Sequence, residues 1–168
     1  MIFVKINNGS DIKGFNDIED KTYKTSNGWI RGYQFEFEGA VRQSGSHSGS
    51  SVQVSGRDYT DTFFTHHLSS ATAAIHKAMV ENKDLVIEVH LTRPAKGGGA
   101  VGEQKPYAKY KFTGANITNQ KSIASDSAGE GYMEEVDFSF AQVVVAADDD
   151  HSGEKTESED AGRVSKKG

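Results

Sequence analysis

The 168-residue sequence has no cysteine, no long apolar run and no excess of positive charge. Without cysteine there are no disulfides, no cysteine-ligated zinc, no thiol nucleophile and no iron–sulfur cluster. No segment approaches the roughly 18 consecutive apolar residues of a membrane helix, and the first ten residues lack the features of a secretory signal peptide. The formal charge of −5 is opposite in sign to a nucleic-acid-binding surface. We therefore expect neither membrane insertion nor a nucleic-acid partner.

The negative charge is concentrated near the end of the chain. Residues 146–168 contain seven acidic and four basic residues, and Val164 is their one large aliphatic side chain. A segment with so little to bury cannot offset the entropy lost on ordering. The sequence thus predicts one domain over residues 1–147 and an acidic, flexible C-terminal tail over residues 148–168.

Most of residues 1–145 alternate between apolar and polar side chains with the period of half-buried strands. The clearest case is the run from Leu85 to Leu91, in which every second residue is aliphatic. Further strands are predicted at residues 2–6, 29–38, 52–54, 59–65, 109–112 and 135–140. In the second of these, the alternation predicts that one face carries Trp29, Arg31, Tyr33, Phe35 and Phe37.

One segment has helical spacing instead. Between Ser69 and Asn82, small and apolar residues recur at intervals of three and four, with serine to cap the start and asparagine to end the helix. The fold class is therefore mainly β: a small antiparallel β-barrel with one short α-helix.

No pattern indicates catalysis, a metal or a cofactor. The glycines of residues 97–102 fit a dinucleotide-binding pattern, but no helix is predicted after them, and that motif needs one. His66 and His67 are adjacent and so point to opposite sides of a strand, and no metal-ligand spacing occurs. The acidic pairs Glu36/Glu38 and Glu134-Glu135 are interpreted as solvated or pore-facing. We expect no enzyme activity and no cofactor.

The order of these elements resembles the haemolysin-coregulated (Hcp) family, the tube subunits of bacterial type VI secretion. The resemblance begins at Val4-Lys5-Ile6, passes through Gly28-Trp29-Ile30 and the helix at Ser69, and ends on the strand Val136–Ala141. It covers nearly all of residues 1–145. The segment over residues 94–106 and the tail after Ala147 are additions to the family pattern.

The resemblance implies a structural function: hexameric rings that stack into a tube and carry effector proteins when a contractile sheath drives it outward with its spike. The subunit would be cytoplasmic before assembly and secreted by the type VI route to the extracellular space or a target cell. The alternatives are a tail-tube subunit of a phage-like contractile particle, or a free-standing β-barrel binding module that uses the aromatic strand or the glycine-rich loops.

Two sets of residues are candidates for assembly. The glycine-rich loop predicted over residues 43–56 is expected to contact the next ring, because it joins strands at the barrel rim and the resemblance implies a stacking loop there. Its candidate residues are Arg42, Gln43, Ser44, His47, Ser51, Arg57 and Asp58. The polar strand faces are expected to remain exposed to solvent, either in the lumen of the tube or on its exterior. Their candidate residues are Glu36, Glu38, Lys109, Lys111, Glu135 and Asp137.

Overall fold

The computed structural model describes residues 1–18, 20–44, 53–94, 103–123, 131–148 and 155–160. These residues form nine strands, one α-helix and a short 3-10 helix at Thr25–Asn27. The strands are β1 Ile2–Asn7, β2 Asp11–Ile12, β3 Trp29–Ser44, β4 Gln53–His67, β5 Leu85–Pro94, β6 Gln104–Ile123, β7 Met133–Ser139, β8 Gln142–Asp148 and β9 Lys155–Asp160. The helix, α1, is Ser70–Val80.

Six of the strands close into an antiparallel barrel. The hydrogen-bonded order runs β1, β3, β4, β7, β6 and β5, and β5 pairs back onto β1. The prediction of a mainly β barrel with one helix is confirmed. Since each of these strands has a neighbour on both sides within the barrel, closure leaves no free edge there.

The long strand β6 connects the barrel to an outer layer. Along one edge, its residues 104–115 pair with β5, while on the other edge residues 116–123 pair with β7 and residues 108–113 with β8. β7 and β8 thus follow each other along β6, interrupted at Phe140 and Ala141. The outer edge of β8 is covered by β9.

The barrel interior is filled with aliphatic and aromatic side chains, and α1 joins the same core. Phe64, Ile87, Phe112 and Val136 are fully buried there, and the helix contributes Ile75 together with two alanines. The aliphatic side chains of β5 alternate with Glu88 and His90, as the two-residue period predicts.

The ends of α1 match the sequence signals. The Ser69 hydroxyl accepts a hydrogen bond from the Ala71 amide at 3.3 Å, and the Thr72 hydroxyl accepts one from the Ser69 amide at 3.2 Å. Asn82, just beyond the helix, has a φ of 48° in the left-handed region, which asparagine tolerates better than most residues. The helix predicted over residues 69–82 is therefore confirmed, with Ser69 as its N-cap and residues 81–82 just beyond its end.

The prediction that β3 has a single aromatic face is wrong. Gly32 pairs with His66 but Gln34 pairs with Thr65, which leaves Tyr33 as an extra residue in a β-bulge. Trp29 therefore packs on the outside of the barrel, while Phe35, beyond the bulge, packs against the interior core. One inserted residue reverses the faces of everything that follows it.

The prediction of a loop over residues 43–56 is too wide. β3 continues to Ser44 and β4 begins at Gln53, so the strands predicted at residues 52–54 and 59–65 are one strand. Between the pairs Arg42–Gly56 and Gln43–Val54 lies one extra residue, Ser55, in a second bulge. Backbone pairing satisfies peptide groups whatever the side chains, so small residues do not prevent a strand from forming.

Part of the predicted acidic tail is a strand, while the expected flexibility of the tail stays a prediction. All six residues of β9 pair in register with residues 143–148 of β8. Its sequence, KTESED, has no apolar side chain, so the pattern of hydrophobic residues could not reveal this strand. The boundary at Ala147 remains a prediction, and residues 149–154 and 161–168 lie outside the described residues.

Candidate assembly surfaces and buried polar clusters

The predicted polar-face residues lie on the outside of the barrel wall. Four of them, Glu36, Glu38, Lys109 and Lys111, are exposed, and Glu135 and Asp137 are half-buried. Glu36 accepts a hydrogen bond from the Gln34 amide at 2.8 Å, and Asp137 accepts one from Asn119 at 2.8 Å. Glu36, Glu135 and Asp137 line one shallow depression across β3, β4 and β7. Lys109 and Lys111 lie in the part of β6 that pairs with β5, where Lys109 is opposite His90 and Lys111 is opposite Glu88.

The predicted stacking residues fall on an arm formed by β3 and β4 beyond the barrel. In this arm, residues 38–44 of β3 pair with residues 53–60 of β4, and neither stretch has a second partner strand among the described residues. Five of the candidate residues belong to these paired stretches: Arg42, Gln43, Ser44, Arg57 and Asp58. The other two, His47 and Ser51, lie outside the described residues. The arm's outer edges therefore carry backbone groups with no strand partner in the described chain.

An exposed aromatic patch surrounds His67 on the outer face of β4. Tyr33 packs against the His67 ring at 4.5 Å and Phe15 at 5.4 Å, both edge-on. Tyr132, just before β7, lies beside His67, and the Tyr132 carbonyl accepts the Leu68 amide at 2.9 Å. Phe15, Tyr33 and Tyr132 are each more than 40% exposed. Exposed aromatic clusters of this kind commonly mark interaction surfaces.

A second aromatic cluster closes the outer face of β1. Tyr23 stacks on Phe3 at 4.4 Å, and its hydroxyl lies 2.9 Å from His90 Nδ1. Burial lowers the pKa of His90 to about 4, because desolvation disfavours the imidazolium, and the charge of Lys109 acts in the same direction. At neutral pH His90 is therefore uncharged and serves as a hydrogen-bonding part of the packing.

Asp20 anchors the segment that carries Tyr23. Its Oδ1 accepts the amides of Thr22 and Tyr23 at 2.7 and 2.9 Å, and its Oδ2 accepts the amide of Gln104 at 2.9 Å. Burial alone would raise the pKa of Asp20, but these three N–H donors outweigh that effect and hold it below the usual value. The carboxylate thus ties the segment before β3 to the start of β6.

We expect Asp20→Asn to lower the free energy of unfolding by about 1–3 kcal/mol, because an amide NH₂ would face a backbone N–H that then loses its acceptor. Since the folded pKa is depressed, the contribution of Asp20 is present above the unfolded pKa of about 3.9 and is lost as pH falls through the folded value. Urea unfolding at pH 7 measures the change. Asp17→Asn, an exposed change in the same segment, should have little effect. Equal values for the two variants would contradict the anchoring role.

A buried polar cluster under α1 was missed by the sequence analysis. His66 and Glu134 are both fully buried, and His66 Nε2 lies 2.8 Å from Glu134 Oε2. The interpretation of Glu134 as solvated or pore-facing is therefore wrong. The signal was present in the alternation, because Glu134 shares the inward face of β7 with Val136 and Phe138. His66 and His67 do point to opposite sides of β4, as predicted.

Gln120 connects this pair to the helix. Its amide nitrogen donates to Glu134 Oε1 at 2.7 Å and to the Thr72 carbonyl, in the first turn of α1, at 2.9 Å. Burial lowers the pKa of His66, since desolvation penalises the imidazolium, whereas the Glu134 charge and the hydrogen bond to the His67 carbonyl oppose that effect. The cluster joins β4, β6, β7 and α1 at one point.

Within the described residues, no group of three or more histidine, aspartate or glutamate side chains could hold a metal ion. No helix in those ranges is long and apolar enough to cross a membrane. The glycine pattern of residues 97–102 lies outside the described residues.

The chain is similar to known proteins over almost all of the barrel. A family model described as "Type VI secretion system effector, Hcp" matches residues 3–146. No curated protein matches the sequence.

Among solved structures, a variant of the Hcp1 protein from E. coli EAEC 042 is 17% identical with a TM-score of 0.71, covering 94% of this chain and 97% of that one. A type VI secretion system effector from Yersinia pestis is 19% identical with a TM-score of 0.67, covering 95% and 99%. A chain of the anti-feeding prophage baseplate is 8% identical with a TM-score of 0.58, covering 86% and 91%. At these identities the likeness is one of fold.

Proposed function

The chain belongs to the type VI secretion system effector Hcp family, a family of structural tube proteins, and we propose that six copies of it form a ring and that such rings stack into the secretion tube. The observation that carries the proposal is the family match, which runs from within β1 to within β8 and so includes α1 and nearly the whole closed barrel. A barrel whose interior is filled by side chains has no internal cavity for cargo, so transport requires a space enclosed by several copies.

The surfaces available for ring formation differ from one another. Strand β9, at the end of the sheet, offers a backbone edge with no partner strand among the described residues, whereas the patch around His67 offers exposed aromatic rings. Two unlike surfaces favour a heterologous contact, in which one copy's surface meets a different surface of the next, and such contacts close into a ring when the rotation permits. Each contact should bury at least about 1,000 Å² in total.

We assign stacking between rings to the β3–β4 arm and the residues that join its strands. The arm extends past the barrel, so it can reach a neighbouring ring without changing the barrel itself. The charged residues Arg42, Arg57 and Asp58 would set the docking register, and an ion pair at a protein surface adds less than about 1 kcal/mol. Because each ring would make six such contacts with the next, these small energies together would be enough to fix the register of stacking.

The charged outer faces suit the wall of a tube that carries varied proteins. The exposed residues at Glu36, Lys109 and Lys111 keep these faces hydrated, and an apolar wall would retain partly unfolded cargo. In this proposal the subunit performs no catalysis and uses no cofactor. Its partners are further copies of itself, the sheath, the spike and the effectors, and it resides in the cytoplasm before secretion.

A phage-like tail tube is the second candidate, and the fold likeness to a chain of the anti-feeding prophage baseplate favours it. Both candidates need rings, so ring formation separates them from a free-standing binding module. Genes for a sheath, a spike and a disassembly ATPase beside this gene would favour secretion, whereas capsid or tail-fibre genes would favour the particle.

Ring formation is tested by measuring molar mass with light scattering during size exclusion. Six copies of the 18.2-kDa chain give a particle of about 109 kDa, and we expect this species at micromolar concentration and above. Dilution should produce monomers without stable intermediates of other sizes. A monomer that persists at millimolar concentration would contradict the proposal.

A further inference from the structure

The pair His66–Glu134 is buried so completely that its protons can be counted from its contacts. His66 Nδ1 lies 2.7 Å from the His67 carbonyl oxygen. A carbonyl oxygen can only accept, so Nδ1 carries a hydrogen and donates it. The other ring nitrogen, Nε2, faces Glu134 Oε2 at 2.8 Å. Neither of these two atoms hydrogen-bonds any other group in the described part of the chain.

Two unprotonated atoms at this distance would turn their lone pairs toward each other in a fully buried site. An unpaired buried polar group costs free energy, and a buried carboxylate with no compensating donor costs more. One hydrogen must therefore lie between Nε2 and Oε2. It makes the pair either an imidazolium with a carboxylate or a neutral imidazole with a carboxylic acid. Both forms hold the same number of protons.

We propose that His66 and Glu134 share one tightly held proton in the folded barrel, and that this proton makes the junction of β4, β7 and α1 sensitive to pH. The junction depends on it because Gln120 links Glu134 to the first turn of α1. Desolvation lowers the pKa of His66 because it penalises the imidazolium, while the Glu134 charge opposes that effect. This inference concerns the isolated chain and does not depend on the proposed function.

Other titratable groups near the pair are two further histidines. His67 follows on β4, but its ring lies on the opposite face, in the aromatic patch. His76 on α1 reaches the cluster only through Gln120, with its Nδ1 3.0 Å from Gln120 Oε1. On β6 the contacting group is the uncharged Gln120, and on β7 it is Glu134 itself. Neither of the two other histidines contacts the shared proton.

The sign of the pH effect follows from the proton count. Above about pH 6.5 the unfolded histidine and glutamate hold no proton, whereas the folded pair holds one. Unfolding then releases a proton, so the unfolding equilibrium constant rises about tenfold per pH unit until the folded pair itself titrates. Between about pH 4.3 and 6.5 the unfolded chain also holds one, and the pair contributes no slope. Below that range the unfolded chain holds two protons on these residues, so stability falls as the pH is lowered.

The decisive variant is Glu134→Gln. Its amide nitrogen can donate to His66 Nε2 while its oxygen accepts from Gln120, so every contact is kept without the shared proton. From pH 7 upward, we expect the unfolding constant of the unchanged protein to increase, relative to that of E134Q, by a factor of about ten for each pH unit. Glu135→Gln removes the same charge from the next residue on the outer face, and His76→Gln removes the histidine that contacts Gln120. Both controls should keep the steep slope.

Equal slopes for E134Q and the unchanged protein would overturn the proposal. If E134Q does not fold, the unchanged protein still decides the question through the ¹⁵N chemical shifts of the His66 ring. A protonated Nδ1 from pH 7 to 8 is the expected result. An unprotonated Nδ1 would mean that Nε2 carries the histidine's own hydrogen, and no extra proton would then be held.

Discussion

Replacing residues 45–51 with an Asn-Gly turn is expected to leave rings intact while abolishing tubes and export. The change removes the residues that join the two strands of the arm, including His47 and Ser51, but leaves every strand of the barrel in place. With Val52, the Asn-Gly pair gives a three-residue connection between the paired residues Ser44 and Gln53, a length that hairpins of antiparallel strands accept. Because each ring would contact the next six times, losing a small favourable term at every contact removes the whole interface. Electron microscopy of concentrated protein and an assay for export measure the two losses.

The matched control is an equal shortening of the other glycine-rich segment. Removing five residues from 97–102 alters the connection between β5 and β6 without touching the arm. This control should form rings, tubes and exported protein as the unchanged chain does. Normal tubes and export from the variant shortened at residues 45–51 would refute the stacking role of the arm.

The second large effect is expected from Phe112→Ala, which should lower the free energy of unfolding by about 3–5 kcal/mol. Phe112 is fully buried at the centre of the aromatic core. Its ring lies 4.8 Å from that of Phe140 and 5.0 Å from that of Phe138, with Phe35 and Phe37 on the β3 side. Truncation would leave a cavity between β3, β6 and β7 that the closed barrel cannot collapse to fill.

Urea unfolding at a fixed protein concentration measures this loss, because ring formation would otherwise shift the apparent stability. Val80→Ala is the control: its side chain is 70% exposed at the end of α1, and the change should cost less than about 0.5 kcal/mol. A loss below 1 kcal/mol for Phe112→Ala would mean that the core is packed differently from the arrangement described here.

The parts of the fold that follow a regular period were predictable from the sequence. α1 was found from its spacing and its caps, since Ser69 and Asn82 have the properties that helix ends require. The alternation in β5 and in the first half of β6 identified inner and outer faces correctly, including the exposed Lys109 and Lys111. The order in which the strands pair was not predicted, because local patterns do not contain it.

The parts that failed depend on single inserted residues or on long-range pairing. The bulge at Tyr33 reverses the faces of β3, and nothing in the local sequence marks which residue is the extra one. β9 has no apolar residue in its sequence, so the pattern of hydrophobic residues gave no signal for it. The pair His66–Glu134 joins residues that lie far apart in the chain, and each looks like an ordinary polar residue until the barrel closes.

The most direct test of the central claim is cryo-electron microscopy of the purified full chain at high concentration. The account predicts closed rings of six copies, with the barrels side by side and a central opening lined by polar strand faces, and short stacks in which the β3–β4 arms lie between successive rings. Isolated monomers, symmetric dimers or open helical filaments without a ring would contradict it.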